Sequence, residues 1–145
     1  MTRYDFGKVS EPTRNVMKGN KKRDTKPELM LRRTLFREGL RYRVHYDRLP
    51  GTPDIVFTRQ KVAIFCDGDF WHGKDWESRK RTLKKNRDYW IPKIERNIQR
   101  DRSVRAELED MGWTVLRIWE SAIKEDLDGA VERVQMALQQ QDIQT

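Results

Sequence analysis

The chain is poor in cysteine and has no long apolar run. Cys66 is its single cysteine, which excludes an intrachain disulfide and a zinc site built from several thiolates. No segment approaches the ~18 consecutive apolar residues of a membrane-spanning helix. The N-terminus also lacks the apolar core of a signal peptide. We therefore expect a cytoplasmic protein with no membrane partner.

Positive charge is what the chain has in excess. It carries 31 Lys and Arg against 23 Asp and Glu, and its formal net charge is +8 over 145 residues. Since Lys and Arg release counterions when they bind phosphates, this balance favours a polyanionic partner such as nucleic acid. In a bacterium such a protein would be associated with the nucleoid. A soluble protein with a merely charged surface remains the alternative.

The length fits one domain with short ends. Residues 1–23 hold seven Lys or Arg and are predicted to form a basic flexible arm. The domain is predicted over 24–140, with a frayed tail at 141–145. Thr25 and Glu28 have the spacing of a helix capping box, and Gly39 is a plausible C-cap, which predicts a helix over 25–38 with Leu29, Leu31, Leu35 and Phe36 as its apolar stripe.

Apolar periodicity predicts the remaining elements. Strands are expected at 41–46, 54–58, 62–67 and 113–119, and helices at 88–110 and 126–139. The second and third strands are close enough to form a hairpin, and 73–87 is predicted as a loop with helical fragments. The order α, β, β, β, α, β, α favours an α/β fold with a mixed sheet flanked by helices on both faces.

Acidic residues lie at the start of this hairpin and at and after its end. Three carboxylates and one imidazole, those of Asp54, Asp67, Asp69 and His72, lie within nineteen positions of a basic chain. If the strands pair, Asp54 lies beside Cys66, and the carboxylate and the Cys66 carbonyl are the hard oxygen ligands that Mg²⁺ prefers. A surface turn is the alternative, since Asp and Gly are common in turns.

The two histidines of the chain and Glu28 are the remaining residues that bear on this site. His72 has an unperturbed pKa of about 6.5, which suits general acid or base catalysis near neutral pH. His45 is predicted only to pack or hydrogen-bond. Glu28 has its capping role, and it would reach a metal-bound water if its helix packed beside the hairpin.

At these residues the chain resembles the very short patch repair (Vsr) endonuclease family, whose members nick DNA next to a T:G mismatch. The matches run in family order over about residues 13–121. They are RNVM at 14–17, DTKPEL at 24–29, LPGTPDIV at 49–56, DGDFWHG at 67–73, YW at 89–90, KI at 93–94, Asn97, Arg100-Asp101, GW at 112–113 and WE at 119–120.

The resemblance implies a restriction-endonuclease-like core of the PD-(D/E)XK type and Mg²⁺-dependent hydrolysis of a phosphodiester. It assigns the metal to Asp54 and the Cys66 carbonyl. His72 becomes the catalytic acid or base, Glu28 acts through a metal-bound water, and Asp67 belongs to the catalytic group.

The same resemblance implies contacts with double-stranded DNA, mismatched or distorted. Phe70 and Trp71 would enter the base stack beside the mismatch, and Met17 would enter from the other groove. The remaining DNA contacts are predicted at Arg14, Lys74 and Asn97. The family suggests a monomer, and by analogy only, mismatch-repair proteins as partners.

One segment departs from the family. Many members hold a structural zinc with cysteines and a histidine around the FWH segment and after the last strand. This chain has Asp69, Lys74, Asp75, Trp76 and Ser121 at those places, so no zinc is predicted. Trp76, Tyr89 and Trp90 are expected to pack as a cluster in its stead. Two alternatives follow: a nickase of different or relaxed specificity, and a DNA-binding module without catalysis.

Overall fold

The structure is a computed structural model that describes residues 23–144. Five helices and four strands lie in this range. They are α1 (Lys26–Arg37), β1 (Arg43–Val44), β2 (Ile55–Phe57), β3 (Val62–Asp67), α2 (Trp76–Thr82), α3 (Arg87–Asp110), β4 (Thr114–Trp119), α4 (Glu120–Glu125) and α5 (Leu127–Gln144). The basic arm predicted at the N-terminus, with Arg14 and Met17, lies outside the described residues.

The strands form one mixed sheet in the order β1-β2-β3-β4. The first three pair antiparallel, which confirms the hairpin, whereas β3 and β4 pair parallel. In that parallel register Asp67 is the partner of Trp119. The last residues of β3 and β4, and the residue that precedes β2, therefore lie at the same edge of the sheet.

Helices cover both faces of the sheet, as predicted. On one face α1, α4 and α5 bury a core that includes Leu31, Leu35, Ile64, Ile123 and Val134. On the other face α3 packs Leu108 against Val56, Phe65 and Val115. The strands alternate between the two cores because successive side chains point to opposite faces.

Helix α1 begins and ends close to its predicted bounds. Thr25 is the N-cap and accepts from the Glu28 N–H at 3.4 Å. The Glu28 carboxylate accepts from the N–H of Asp24, not from that of Thr25, at 2.9 Å, so the expected capping box is shifted by one residue. After the helix, Gly39 has a φ of 90°. The N–H groups of Gly39 and Leu40 bond the carbonyls of Phe36 and Leu35, the pattern of a Schellman end.

Four expectations on the elements need correction. The first strand covers only Arg43–Val44, since His45 has a positive φ of 46° and leaves the extended region. Phe36 is not in the core but 53% exposed, with the Arg41 guanidinium 3.6 Å above its ring. Helix α4 was not predicted, and α5 continues to Gln144.

The fragment expected within 73–87 is helix α2. Pro92 lies inside α3, near its start, as predicted. None of the helices within residues 23–144 combines the length and the apolar character that crossing a membrane requires.

Candidate active site

Asp54 lies directly before β2, and its side chain turns to the neighbouring strand. Its Oδ2 accepts from the Cys66 N–H at 2.8 Å, and its own N–H donates to the Ile64 carbonyl at 3.0 Å. The predicted approach of the Asp54 side chain to the Cys66 main chain is confirmed. Two hydrogen bonds to β3, one made by the Asp54 side chain and one by its main chain, therefore hold this carboxylate in place.

Carboxylates gather around Asp54. Burial and the charge on Glu28 raise the pKa of Asp54 to about 8, the charges on Asp67 and Glu120 add to the effect, and the Cys66 N–H opposes it. The pKa of Glu120 is raised as well, because burial outweighs the opposing effect of the hydrogen bond from Thr25. Four acidic side chains thus share one edge of the sheet, where like charges cannot easily all ionise.

Sequence reasoning gave Glu120 no role. It follows β4 directly, and the Thr25 hydroxyl donates to its Oε2 at 2.8 Å. Its signals were the WE motif, quoted without a role, and its place after a strand, which put it at the site only once β4 was known to run parallel to β3.

The acidic edge fits a divalent cation. The donors are hard oxygens, which such cations prefer, and a bound cation would offset the repulsion that raises the pKa of Asp54. Asp54 and the Cys66 carbonyl are the residues that would hold it. When bound, such an ion polarises a phosphate oxygen and activates water.

His72 faces the same edge from the turn that follows β3. Its Nδ1–H donates to Asp101 Oδ2 at 2.6 Å, and its Nε2 lies 3.9 Å from Asp67 Oδ1. Burial disfavours the charged imidazole, but the bond to Asp101 and the charges on Asp67 and Asp101 outweigh it and raise the pKa of His72. With 31% of its side chain exposed, His72 is suited to hold a proton near neutral pH and give it up.

Helix α3 sets the position of His72. Gly73 has a φ of 74°, and a Cβ there would lie 2.5 Å from the Ile98 Cδ1, so a larger residue would be strained in its backbone and would press on the Ile98 side chain. Next to Ile98 in α3, the Asn97 side-chain amide donates to the Trp71 carbonyl at 2.9 Å. Asp101 follows Asn97 by four residues and so lies on the same helix face. Sequence reasoning quoted Asp101 in a motif without a role, and it expected Asn97 at DNA.

Asp67 is buried and pairs with a cation. Arg117 Nη1 lies 2.9 and 3.0 Å from its two oxygens and 3.5 Å from Asp101 Oδ1. Burial raises the pKa of Asp67, while His72 and Arg117 act against the shift. Asp67, His72 and Asp101 are near enough to one another to share an ion, but Arg117 already supplies a positive charge to both carboxylates.

Glu28 is also buried, and its carboxylate is already bonded. Asp24 N–H, Arg32 and the Nε2 of His45 approach it at 2.9, 3.1 and 2.8 Å. His45 hydrogen-bonds as predicted. Glu28 therefore reaches the site through its charge, which acts on Asp54.

An aromatic cluster, defined as Phe70, Trp71, Tyr89 and Trp90, lies beside the site. Its members meet edge to face, with ring centroids 4.8 to 5.5 Å apart. Phe70 and Trp71 are in the turn and are half-buried, while Tyr89 is 58% exposed. The predicted group of Trp76, Tyr89 and Trp90 is therefore corrected.

The Trp76 ring does not pack against the rings of this cluster. It is buried, and its indole N–H donates to Glu95 at 3.1 Å. Glu95 in turn accepts from Lys80 at 2.8 Å. Trp76 therefore ties α2 to α3.

Lys74 is turned into the protein. Its Nζ donates to the Ser121 Oγ at 2.9 Å and lies 3.7 Å from Asp69 Oδ2. Asp69 Oδ1 accepts from the Ser121 N–H at 3.2 Å. These three residues, here called the polar brace, join the turn after β3 to the start of α4.

Comparison with known proteins agrees with this geometry. A family model described as DNA mismatch endonuclease Vsr matches residues 8–78. The Type II nicking enzyme V.NmeDIP of Neisseria meningitidis serogroup C is 46% identical over 128 residues, 88% of this chain and 86% of that protein. The Type II nicking enzyme V.HpaIIP of Haemophilus parainfluenzae is 49% identical over 75% of this chain and 78% of that protein.

A third relative is the DNA mismatch endonuclease Vsr of Escherichia coli strain K12. It is 37% identical over 102 residues, 70% of this chain and 65% of that protein. The sequence matches are consistent with the mixed sheet and with the acidic edge. The architecture is the restriction-endonuclease-like fold of this family. The chain belongs to the Vsr family of DNA endonucleases.

Proposed function

We propose that this endonuclease uses Mg²⁺ at Asp54 and the Cys66 carbonyl to nick one strand of duplex DNA at or next to a T:G mismatch. The observation that carries the proposal is the Asp54 carboxylate, held 2.8 Å from the Cys66 main chain among acids that raise its pKa to about 8. A buried carboxylate among other acids is unfavourable by itself, and cation binding would explain its presence there.

His72 acts as the general acid in this proposal. Asp101 orients the imidazole through Nδ1 and leaves Nε2 on the side of Asp67. The raised pKa of His72 favours its protonated form, so it can give a proton to the oxygen that leaves the phosphorus. Glu28 and Glu120 contribute fixed negative charge that favours the cation.

The aromatic cluster is proposed to read the distorted duplex. Phe70 and Trp71 are half-buried in a turn, so each keeps an accessible edge while the turn stays ordered. Aromatic wedges separate base steps at a cost of a few kcal/mol, and a weak mismatch lowers that cost. Nearby basic residues would bind the backbone independently of sequence. We propose that the protein acts as a monomer.

A second candidate is a nickase of different or relaxed specificity. Two relatives carry the words Type II nicking enzyme in their names rather than mismatch endonuclease. The polar brace also replaces the family's zinc ligands beside the aromatic cluster. Both observations concern which DNA the protein recognises. Neither concerns the residues of the acidic edge. A binding module without catalysis is not favoured, because Asp54, His72 and Asp101 are all present and hydrogen-bonded.

The test is a cutting assay on a T:G duplex and its matched control with Mg²⁺, read on a denaturing gel. Wild type is expected to make a single cut near the mismatch. Asp54→Ala is expected to abolish cutting and leave DNA binding largely intact, since it removes the metal-binding carboxylate. Asp110→Ala changes an exposed aspartate at the end of α3 and should cut like wild type.

The outcomes separate the candidates. Equal cutting of both duplexes would favour the nickase of relaxed specificity. Binding of the T:G duplex without Mg²⁺-dependent cutting would favour a non-catalytic module. Cutting by a well-purified Asp54→Ala variant would contradict the proposed metal site.

A further inference from the structure

Arg117 bridges the two carboxylates that flank His72. Its Nη1 contacts both oxygens of Asp67, at 2.9 and 3.0 Å, and lies 3.5 Å from Asp101 Oδ1. Asp101 uses its other oxygen for the His72 Nδ1–H. A single guanidinium therefore touches the acids on both sides of the imidazole.

The setting of Arg117 is that of a fixed group. It lies on β4 opposite Phe65 in the parallel register, and its guanidinium carbon is 4.0 Å from the centroid of the Phe65 ring. Its side chain is 16% exposed. Within residues 23–144, its Nε is the buried side-chain polar atom that has no hydrogen-bond partner.

A largely buried cation with a buried, unsatisfied N–H is costly unless its ion pair compensates. The arrangement therefore depends on Asp67, its buried partner. Asp67 in turn would be a buried carboxylate without a compensating cation if Arg117 were removed. The two residues form a matched pair that comes from two neighbouring strands.

We propose that Arg117 is a positioning residue for the nicking reaction, which holds Asp67 and Asp101 on the two sides of His72 and thereby fixes the imidazole between them. The proposal rests on the proposed role of His72 as the proton donor. Charged groups face His72 from three elements: Asp67 from β3, Asp101 from α3 and Arg117 from β4.

The pair has opposite effects on His72. The positive charge of Arg117 lowers the pKa of His72, whereas the negative charge of Asp67 raises it. Arg117→Met should therefore move the titration midpoint of His72 to higher pH, and Asp67→Asn should move it to lower pH. The double variant removes one charge of each sign and should return the midpoint close to the wild-type value. If the pair only stabilised the fold, the two single variants would not shift the His72 midpoint in opposite directions.

The measurement is an NMR titration of the imidazole signals in the metal-free protein without DNA. The chain has two histidines, and the signal that is lost in His72→Gln identifies His72. We expect shifts of about one pH unit in each single variant, in the stated directions. Arg117→Lys keeps the charge and should leave the midpoint near the wild-type value.

A cutting assay at several pH values supplies a second readout. The limb of the rate profile that depends on His72 should move with the NMR midpoint in each variant. Should Arg117→Met fail to fold, the comparison of Asp67→Asn with the double variant still tests the pair, because adding Arg117→Met must raise the midpoint.

Unchanged His72 midpoints in Asp67→Asn and in the double variant would overturn the proposal. The titration requires neither metal nor DNA, so its result does not depend on the proposed function. If the midpoints move as expected but His72→Gln cuts like wild type, the proton-donor role fails while the contact of Arg117 with the acids stands.

Discussion

Asp54 shows at the scale of one residue how a site works against the stability of its fold. Its ordinary pKa is near 4, and burial together with the charge on Glu28 raises it to about 8. A carboxyl with a raised pKa in the folded state favours folding below its unfolded pKa and loses that contribution as the pH rises through the folded pKa. The ionised Asp54 therefore destabilises the metal-free protein most above pH 8.

Asp54→Asn should stabilise the metal-free protein more at pH 9 than at pH 5. At pH 9 the substitution removes a buried charge among other acids, and the expected gain in the free energy of unfolding is about 2 kcal/mol. At pH 5 Asp54 is neutral in the folded protein but largely ionised in the unfolded chain, so only part of the penalty has developed and the gain should be smaller. Urea unfolding at both pH values, with Asp110→Asn as the exposed control, measures the difference. An equal effect at both pH values would show that charge is not the cause.

Phe70→Ala should weaken mismatch discrimination more than overall affinity. The ring contacts both Trp71 and Trp90, with centroids 5.5 Å apart in each pair, so it belongs to the group that would enter the base stack. Backbone contacts that hold the duplex do not depend on it. The ratio of T:G to matched binding should fall by a larger factor than matched binding itself, measured over a series of salt concentrations.

The control for that variant is Phe36→Ala. Phe36 is 53% exposed and lies on α1, with Arg41 over its ring. It should leave the T:G to matched ratio at the wild-type value. A ratio that Phe70→Ala also leaves unchanged would argue against the aromatic cluster as the reader of the mismatch.

At the scale of elements, the turn after β3 carries more of the site than any helix or strand. It presents Phe70, Trp71 and His72 within three positions. Asn97 holds it from α3, and the polar brace holds it from the start of α4. Its geometry is fixed by side-chain hydrogen bonds to two helices that come much later in the chain.

Lys74→Met should loosen this turn. The change removes the bond to Ser121 and the ion pair with Asp69, which are part-buried, and we expect a loss of about 1 kcal/mol in the free energy of unfolding. The rate of cutting should fall as well, because His72 lies in the turn. Lys84→Met, at an exposed position, is the matched control.

A zinc chelator adds a second measurement to that experiment. Since the polar brace needs no metal, the chelator should not change the melting temperature of the wild type. A fall in that temperature on chelation would contradict the predicted absence of zinc. A Lys74→Met variant as stable and active as Lys84→Met would show that the brace contributes little.

At the scale of the whole molecule, local signals predicted the elements and the hairpin. Thr25 and Gly39 mark the ends of α1, and apolar periodicity located α3 and β4 to within a residue or two. The two strands of the hairpin are separated by a short turn, so the approach of Asp54 to Cys66 could be inferred from the sequence. Short elements were less predictable: α4 has six residues, and β1 ends where His45 takes a positive φ.

Long-range partners could not be predicted in the same way. Asp67 and Arg117 are fifty positions apart, and His72 and Asp101 are twenty-nine. Each contact depends on the parallel pairing of β3 with β4 or on the packing of α3, neither of which leaves a local pattern. Sequence reasoning therefore named the half of the site that lies on the hairpin and its turn, and gave no role to Asp101, Arg117 or Glu120.

The parallel pairing of β3 with β4 has a consequence for the point during synthesis at which the nuclease becomes complete. Asp54, Cys66 and His72 are translated well before Arg117 and Glu120, which arrive with the final strand. A nascent chain on the ribosome thus holds the hairpin without the strand that completes its acidic edge. Cutting activity should therefore begin only after β4 has been made and has paired with β3.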